Sequence, residues 1–476
     1  MSKLVKLSVA YNWDPTFIDE VVKRDYPVTD FYASAQHTTI GGGRPSSILP
    51  ETSEKMIKSH IQKMHDNGIE FTYTLNAACM GGQEFVKETH VKMIKELEAI
   101  QDAGADGVVL AIPYLIEIVK EQFPGLKIRV STVAKVNAVN KAIYFEKMGA
   151  DSISPDVMIN RNFKLLQKMV EGTRCTLDLL VTDGCLYECP YRLYHYCLTG
   201  HASQTYNNRD AFIDYPVIKC NIEKYSNPAE IMKCRWVRPE DLKHYEAIGI
   251  HLFKIGGRRL TTDRILASVK AYSEQEYAGN LANIIEGFAF ENGGIKSDPN
   301  KKMGSANAKE CKANLIIDNT KLDGFIDFFI EHGESCAENC GTCSYCEKWA
   351  EKAVILDKHG AEMFLNNIRE FHQDLITSRE FGLNLDKKKS PTKKNGMTWD
   401  PSAEKNFETI IERSPSATRS MARMLIASLA EKKARNRGAQ VVENQDVASA
   451  FLEGVPGPFQ KSIKKGLKEL GIKAEA

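Results

Sequence analysis

Across the first 275 residues, short apolar runs alternate with longer stretches in which apolar positions recur every three or four residues. The runs predict strands at Leu4–Ala10, Asp30–Ser34, Glu70–Asn76, Gly107–Ile112, Lys127–Thr132, Asp151–Ser154, Cys175–Val181 and His251–Ile255. Several are continuously apolar, as expected of strands covered on both faces. The stretches between them carry helix signals. Ser53–Asn67 opens on a Ser cap and puts Met56, Ile57, Ile61 and Met64 on one stripe. Lys87–Ala103 carries Val91, Ile94, Leu97 and Ile100 and ends beside Gly104. Eight strands alternating with helices predict an α/β fold, a TIM-like (β/α)8 barrel, with a doubly wound sheet as the competitor. On a barrel the chemistry collects where strands end, here at Asn76, Pro113, Ser131, Ser154, Asp183 and Gly256. Asn and Ser are also common loop residues, so these positions mark a rim rather than a mechanism.

Beyond residue 275 the pattern changes. Residues 276–382 read as an extension carrying a Cys-rich module, SCAENCGTCSYCEKW at 335–349. Residues 383–397 read as a solvated linker, with five Lys in LDKKKSPTKKNG. Residues 398–476 read as a small, basic, all-α domain. No internal repeat is visible. The composition, 43% hydrophobic and 26% charged over 476 residues, is ordinary globular usage and excludes collagen-like or mostly disordered chains. No apolar run approaches the roughly 18 residues that span a bilayer, and the start lacks a signal-peptide core, so no membrane partner and a cytoplasmic location are expected. The formal charge of +1 hides an asymmetry. From Lys387 onward there are 18 Lys and Arg against 10 Asp and Glu, so a basic tail of +8 is joined to a body of −7. Such a tail could track RNA phosphates, or be a solvated helical face.

Twelve cysteines are many for a cytoplasmic chain, and without a secretion signal metal or redox chemistry outranks disulfides. Nine fall in two regions. Cys336, Cys340, Cys343 and Cys346 lie within eleven residues in the spacing x3, x2, x2. Closely spaced x2 runs are typical of 4Fe–4S loops, whereas zinc sites usually split into two separated pairs. A cluster is therefore expected here, structural or an electron relay, with zinc as the alternative. The other region, VTDGCLYECPYRLYHYCLTGH followed by YPVIKC and MKCRWVRPEDL, offers Cys185, Cys189, Cys197, Cys220 and Cys234, with His195 and His201 beside them. Four of these five cysteines could hold a second cluster, on loops after the seventh strand. Asn76 and His195 are the candidate catalytic residues, although a lone His near Tyr and Arg is more often a hydrogen-bonded surface residue. Two Gly–Arg turns, Gly41–Arg44 and Gly256–Arg259, combine close backbone approach with a guanidinium, which makes Arg44 and Arg258 candidates to grip a carboxylate. Neither H-E-x-x-H nor G-x-S-x-G occurs, so a metallo- or serine-peptidase mechanism has no local motif.

The segments GGGRPS at 41–46, FTYTLNAAC at 71–79, GCLYECPYRLYH at 184–195, WVRPEDL at 236–242 and FKIGGRR at 253–259 resemble the peptidase U32 family, over roughly residues 1–350. The tail from Trp399 resembles the C-terminal domain found in the B component of light-independent protochlorophyllide reductase. Some U32 members were called collagenase-like peptidases. Others are iron–sulfur proteins of oxygen-independent hydroxylation, acting on a ubiquinone precursor or on RNA bases with prephenate as oxygen donor. That resemblance implies a four-Cys cluster in which Cys185 and Cys189 are the close pair, Cys234 the last ligand, and the third Cys197 or Cys220; Cys220 is chosen because its lead-in, YPVIKC, sits nearer the expected position. The short Cys185–Cys189 spacing departs from the quinone-type pattern. The expected function is then a hydroxylase of an aromatic or heterocyclic small molecule, served by an electron donor or reductase partner. An RNA-base hydroxylase, a non-catalytic electron-transfer or scaffold protein and, last, a peptidase are the alternatives.

Overall fold

The computed structural model describes residues 5–36, 38–206, 213–288, 314–379, 397–412 and 416–454, with a few positions beyond. The chain forms two compact units, Met1–Gly382 and Leu383–Ala476. Nearly all of the expected linker, and Cys311, lie outside the described residues.

In the first unit eight parallel strands close a barrel in chain order, with the eighth pairing back onto the first. They are β1 (Lys6–Ala10), β2 (Val28–Ala33), β3 (Glu70–Leu75), β4 (Gly107–Leu110), β5 (Lys127–Val130), β6 (Ser152–Ile153), β7 (Thr176–Leu180) and β8 (Leu252–Ile255). This is the TIM-like barrel that the alternation predicts, and the doubly wound competitor is set aside. Its helices are α1 (Pro15–Lys23), α2 (Glu54–His65), α3 (Lys87–Asp102), α4 (Pro113–Gln122), α5 (Val139–Met148), α6 (Phe163–Gly172), α7 (Arg192–His201), α8 (Tyr215–Ser226), α9 (Ala229–Lys233), α10 (Leu242–Glu246) and α11 (Thr262–Glu274). The cap expected of α2 is present: the Ser53 side chain accepts from the Met56 amide at 3.2 Å. The stripe expected of α3 is partly corrected. Thr89, Met93, Leu97 and Ile100 face the core, while Val91 is 45% exposed. The helix is rotated toward Met93 because this phase also brings Glu96 to the barrel rim.

The barrel interior is unusually polar. Arg129 of β5 donates to Asp30 of β2 at 3.0 and 3.2 Å and to Ser8 of β1 at 2.9 Å, and its Nε lies 3.3 Å from Asp178 of β7. Ser154 donates to the same Asp178. Interiors of such barrels are normally layers of Val, Ile and Leu. Here one guanidinium between two carboxylates takes their place, an arrangement that is stable only while all three charges stay together.

The extension adds β9 (Leu315–Ile317), α12 (Asp327–His332), α13 (Cys336–Asn339), α14 (Tyr345–Ala353), β10 (Val354–Leu356) and α15 (Lys358–Thr377), with β9 and β10 antiparallel. Its apolar residues join the barrel's own core; Trp236 and Phe325, for example, stack with ring centroids 5.9 Å apart. The second unit has a separate core around Trp399, Phe407 and Phe451. It comprises β11 (Thr398–Trp399), α16 (Pro401–Glu412), α17 (Ser416–Asn436), β12 (Val441–Val442) and α18 (Asn444–Gly454), so a two-residue parallel pair accompanies the expected helices. Among the described residues no helix is long and apolar enough to cross a membrane.

Candidate functional site

The loop after β2 is held at four points. Glu96 of α3 accepts from the Thr39 and Ile40 amides at 3.0 and 3.1 Å, and burial pushes its carboxyl up to about 7 despite those donors. The Gly42 amide donates to Ser203 Oγ at 2.8 Å. The Gly43 amide donates to Asn76 Oδ1 at 2.8 Å, while Asn76 Nδ2 donates to Ser131 Oγ at 2.9 Å. Asn76 is thus placed as a brace between two rim loops. The loop delivers Arg44, whose guanidinium donates to Glu286 at 3.3 Å. Arg258 is buried and donates to Ser34 Oγ at 2.8 Å; burial, then the neighbouring Arg44, lower it to about 10. The two candidate arginines are therefore brought together, with Glu286 acting on both.

Glu286 was not foreseen. Its segment returns to the rim beyond β8, where its amide donates to Thr182 O at 2.8 Å and its carbonyl accepts from the Gly184 amide at 3.0 Å. A Cβ on Gly256 would stand 1.8 Å from Glu286 Oε1. The Gly-Gly turn that reads in sequence as room for a ligand is room for a protein carboxylate, and that glycine was the available signal. Lys254, also unforeseen as a site residue, points into the barrel with Nζ 4.3 Å from the Tyr32 ring centre, and burial lowers it to about 8.

The loop after β7 carries Cys185, whose amide donates to Asp183 Oδ1 at 3.0 Å. Cys234, at the end of α9, is fully buried, with Sγ 3.2 Å from Gly184 O. Cys220 lies on α8, one turn before Lys224, which is 1% exposed. Burial lowers the Lys224 ammonium, but Cys220, Cys234 and Cys185 together raise it above its ordinary range. Cys189 is within electrostatic reach of Cys220. Cys197, on α7, instead faces Cys79. Cys185, Cys220 and Cys234 thus share Lys224 as an electrostatic neighbour and Cys189 acts on Cys220, whereas the cysteine that acts on Cys197 is Cys79. His195 does not join them: its Nε2 lies 3.1 Å from Asp214, the cap of α8. Burial pushes the Cys185 and Cys220 thiols up, and that of Cys234 to about 12, so a metal must displace their protons in binding.

The other four cysteines line one cleft together with Lys233, Arg235, Phe328, Phe329 and Tyr345. Cys336 sits on α13 and Cys346 on α14; Cys340 and Cys343 are exposed. Arg235 donates to Cys336 Sγ at 3.0 Å and lies 3.6 Å from the Tyr187 ring centre. Behind it, Arg161 donates to Met232 O and Trp236 O at 2.8 and 2.9 Å and packs on Trp236, Phe325 and Phe329. Lys224, Arg161 and Arg235 are invisible in sequence because nothing in a linear motif distinguishes a buried cation from a surface one.

None of the eleven described cysteines is in a disulfide. Among the described residues no three Cys, His, Asp or Glu side chains converge on a single-ion point. A lone tetrahedral ion needs its thiolates about 2.3 Å from one centre, whereas a cluster spreads its ligands over separate irons.

Residues 50–167 match the sequence model of Peptidase family U32. An uncharacterized protease of Methanocaldococcus jannaschii is 29% identical over 317 residues, 66% of this chain and 86% of that protein. Among solved structures, the U32 peptidase Mk0906 aligns with 54% of this chain and 94% of its own at 21% identity and a TM-score of 0.41. The YdjI aldolase of Escherichia coli K12 aligns with 57% and 81% at 12% identity and a TM-score of 0.32. The matched segment and the Methanocaldococcus relative agree with the motifs quoted above: over these stretches the chain is similar to peptidase family U32.

Proposed function

We propose that this protein is an iron–sulfur enzyme that hydroxylates an aromatic or heterocyclic small molecule without O2, drawing the oxygen from a carboxylate-bearing donor. One observation carries the reading. Cys185, Cys220 and Cys234 act on a buried lysine at a barrel mouth, Cys189 is within electrostatic reach of Cys220, and Arg44 and Arg258 lie side by side at the barrel rim. Lys224 has no carboxylate ion pair among the described residues, and anionic thiolates would supply its counter-charge; the donor set therefore fits an all-Cys cluster. When bound, such a cluster would supply one-electron chemistry. The chain's own residues do the rest. Arg44 and Arg258 bind the donor's carboxylate, the bridged loop held by Asn76 and Glu96 fixes their positions, and Glu286 keeps Arg44 turned toward the cavity in the donor's absence. Lys254, lowered to about 8, is poised to hold or release a proton near neutral pH.

An RNA substrate is the second reading, favoured by the +8 tail. Several tail cations are already paired within their own unit: Arg423 with Glu408, Lys433 with Glu453, and Arg437 with Asp446. The small-molecule reading therefore stands first. Protein purified without air is expected to be brown, with about eight iron atoms per chain for two clusters. It is expected to give a hydroxylated product under argon from a deletion-strain metabolite extract. Colourless protein with stoichiometric zinc overturns the reading, and salt-sensitive RNA binding with a modified base shifts it to RNA.

A further inference from the structure

We infer that Arg161 and Arg235 form a cationic seam between two anionic clusters, and that Arg235 is the hydrogen-bond donor to the cluster bound by Cys336, Cys340, Cys343 and Cys346. The inference rests on the iron–sulfur reading above.

Arg161 and Arg235 are only 2% and 3% exposed. They are close enough that each charge acts on the other, and burial followed by Arg235 lowers Arg161. Among the described residues neither makes an ion pair with a carboxylate. Arg235 Nε and Nη1, and Arg161 Nε, are buried without any hydrogen-bond partner. A buried guanidinium without a carboxylate and with some of its N–H groups unsatisfied is costly, and two side by side repel one another as well. Aromatic faces offset part of this cost: Tyr187 and Phe329 against Arg235, and Trp236, Phe325 and Phe329 against Arg161.

The missing counter-charge is indicated by what flanks the pair. Arg235 touches Cys336, and Arg161 acts on Cys346 in the extension and on Cys234 at the barrel mouth. Cys234 and Arg235 are consecutive, so one dipeptide faces both cysteine groups. Four thiolates on an oxidised 4Fe–4S core leave a net charge of about −2, which two guanidiniums balance. The sulfurs of such a group also accept hydrogen bonds, which the unpartnered Arg235 nitrogens can donate. A donor and a positive charge at the sulfurs stabilise the reduced cluster and raise its potential. The pair therefore sets the potential of the extension cluster relative to the barrel cluster.

The test uses the full chain purified without air, as wild type, Arg235→Gln, Arg235→Lys and Cys343→Ala. The readouts are iron and sulfide content and a redox titration followed by electron paramagnetic resonance. Cys343→Ala identifies which signal belongs to the extension. Arg235→Gln is expected to keep both clusters and to lower the reduced fraction of the extension cluster about tenfold at fixed potential, about 59 mV for a one-electron couple. The barrel-mouth signal should move less, and Arg235→Lys, which keeps the charge with fewer donors, should recover part of the shift. Selective loss of extension iron in Arg235→Gln, with iron retained and potential lowered in Arg235→Lys, supports the same assignment. An unchanged potential with both clusters present overturns it. So does equal iron loss from both groups with a lowered Tm, which marks a packing role. Wild-type protein devoid of iron at both groups instead overturns the reading beneath.

Discussion

The two cysteine groups are built by opposite routes. At the barrel mouth the thiols come from a loop, the middle of α8 and the end of α9, are at least half-buried, and three of them act on a lysine that has no carboxylate ion pair among the described residues. In the extension they come from one short stretch, two of them are exposed, and the nearby Lys233 is already paired with Glu230 and Glu347 at 2.9 and 3.1 Å. The first group is a product of the fold, and the barrel would exist without it. The second dictates the shape of its own segment, because little else holds α13 and the turn after it.

The strongest challenge to this contrast is to remove one ligand from each group. Cys189→Ala is expected to abolish turnover, at least about 1,000-fold, and to remove about half the iron while Tm shifts by only a few degrees, since the barrel core is large. Cys343→Ala should remove the other half and open the extension to limited proteolysis, because metal-dependent segments lose folding free energy with the metal. Identical defects in both variants would dissolve the distinction. Next in size, Lys224→Met should weaken retention of the barrel-mouth iron about tenfold against a chelator and leave the extension iron in place. A uniform loss would show that Lys224 serves packing alone.

The barrel's independence can be sharpened by pH. Lys254 falls from the ordinary 10.5 to about 8 when buried. The unfolded chain therefore binds the proton more tightly, and stability rises as pH rises from about 8 to 10.5. Lys254→Met should stabilise the barrel at pH 7 by on the order of 3 kcal/mol, a gain that vanishes above about pH 10.5; urea unfolding at both pH values measures it. The smallest effect belongs to Lys233→Met, about 1 kcal/mol in stability with iron unchanged, because its carboxylate partners Glu230 and Glu347 are partly solvated. A large loss of extension iron there would mean that the two lysines play the same part after all.

The barrel was legible because strands covered on both faces read as unbroken apolar runs, and even the two-residue β6 shows as Ser-Ile between polar flanks. The α3 stripe was read out of phase because Val91 and Met93 are both apolar and only packing decides between them. The cysteines stood out by type and spacing. Cys197 and Cys220 could not be told apart by type or spacing; in the fold, Cys79 acts on Cys197, whereas Cys220 shares Lys224 with Cys185 and Cys234. Glu286 was illegible because it reaches the rim from beyond the last strand, in a segment without periodicity. Arg161 and Arg235 were hidden because charge patterning assigns arginines to solvent unless a carboxylate is in view.

The adjacency of Cys234 and Arg235 also orders events in time. During synthesis, the last barrel-mouth ligand and the eighth strand leave the ribosome well before Cys346 does. At roughly 5–20 residues per second the interval is on the order of ten seconds. For that period the nascent barrel can close while Arg235 and Arg161 still face water and dissolved anions. The later segment then docks onto a waiting positive surface. On the iron–sulfur reading, the extension's iron is installed second, on a template that the first domain has already set.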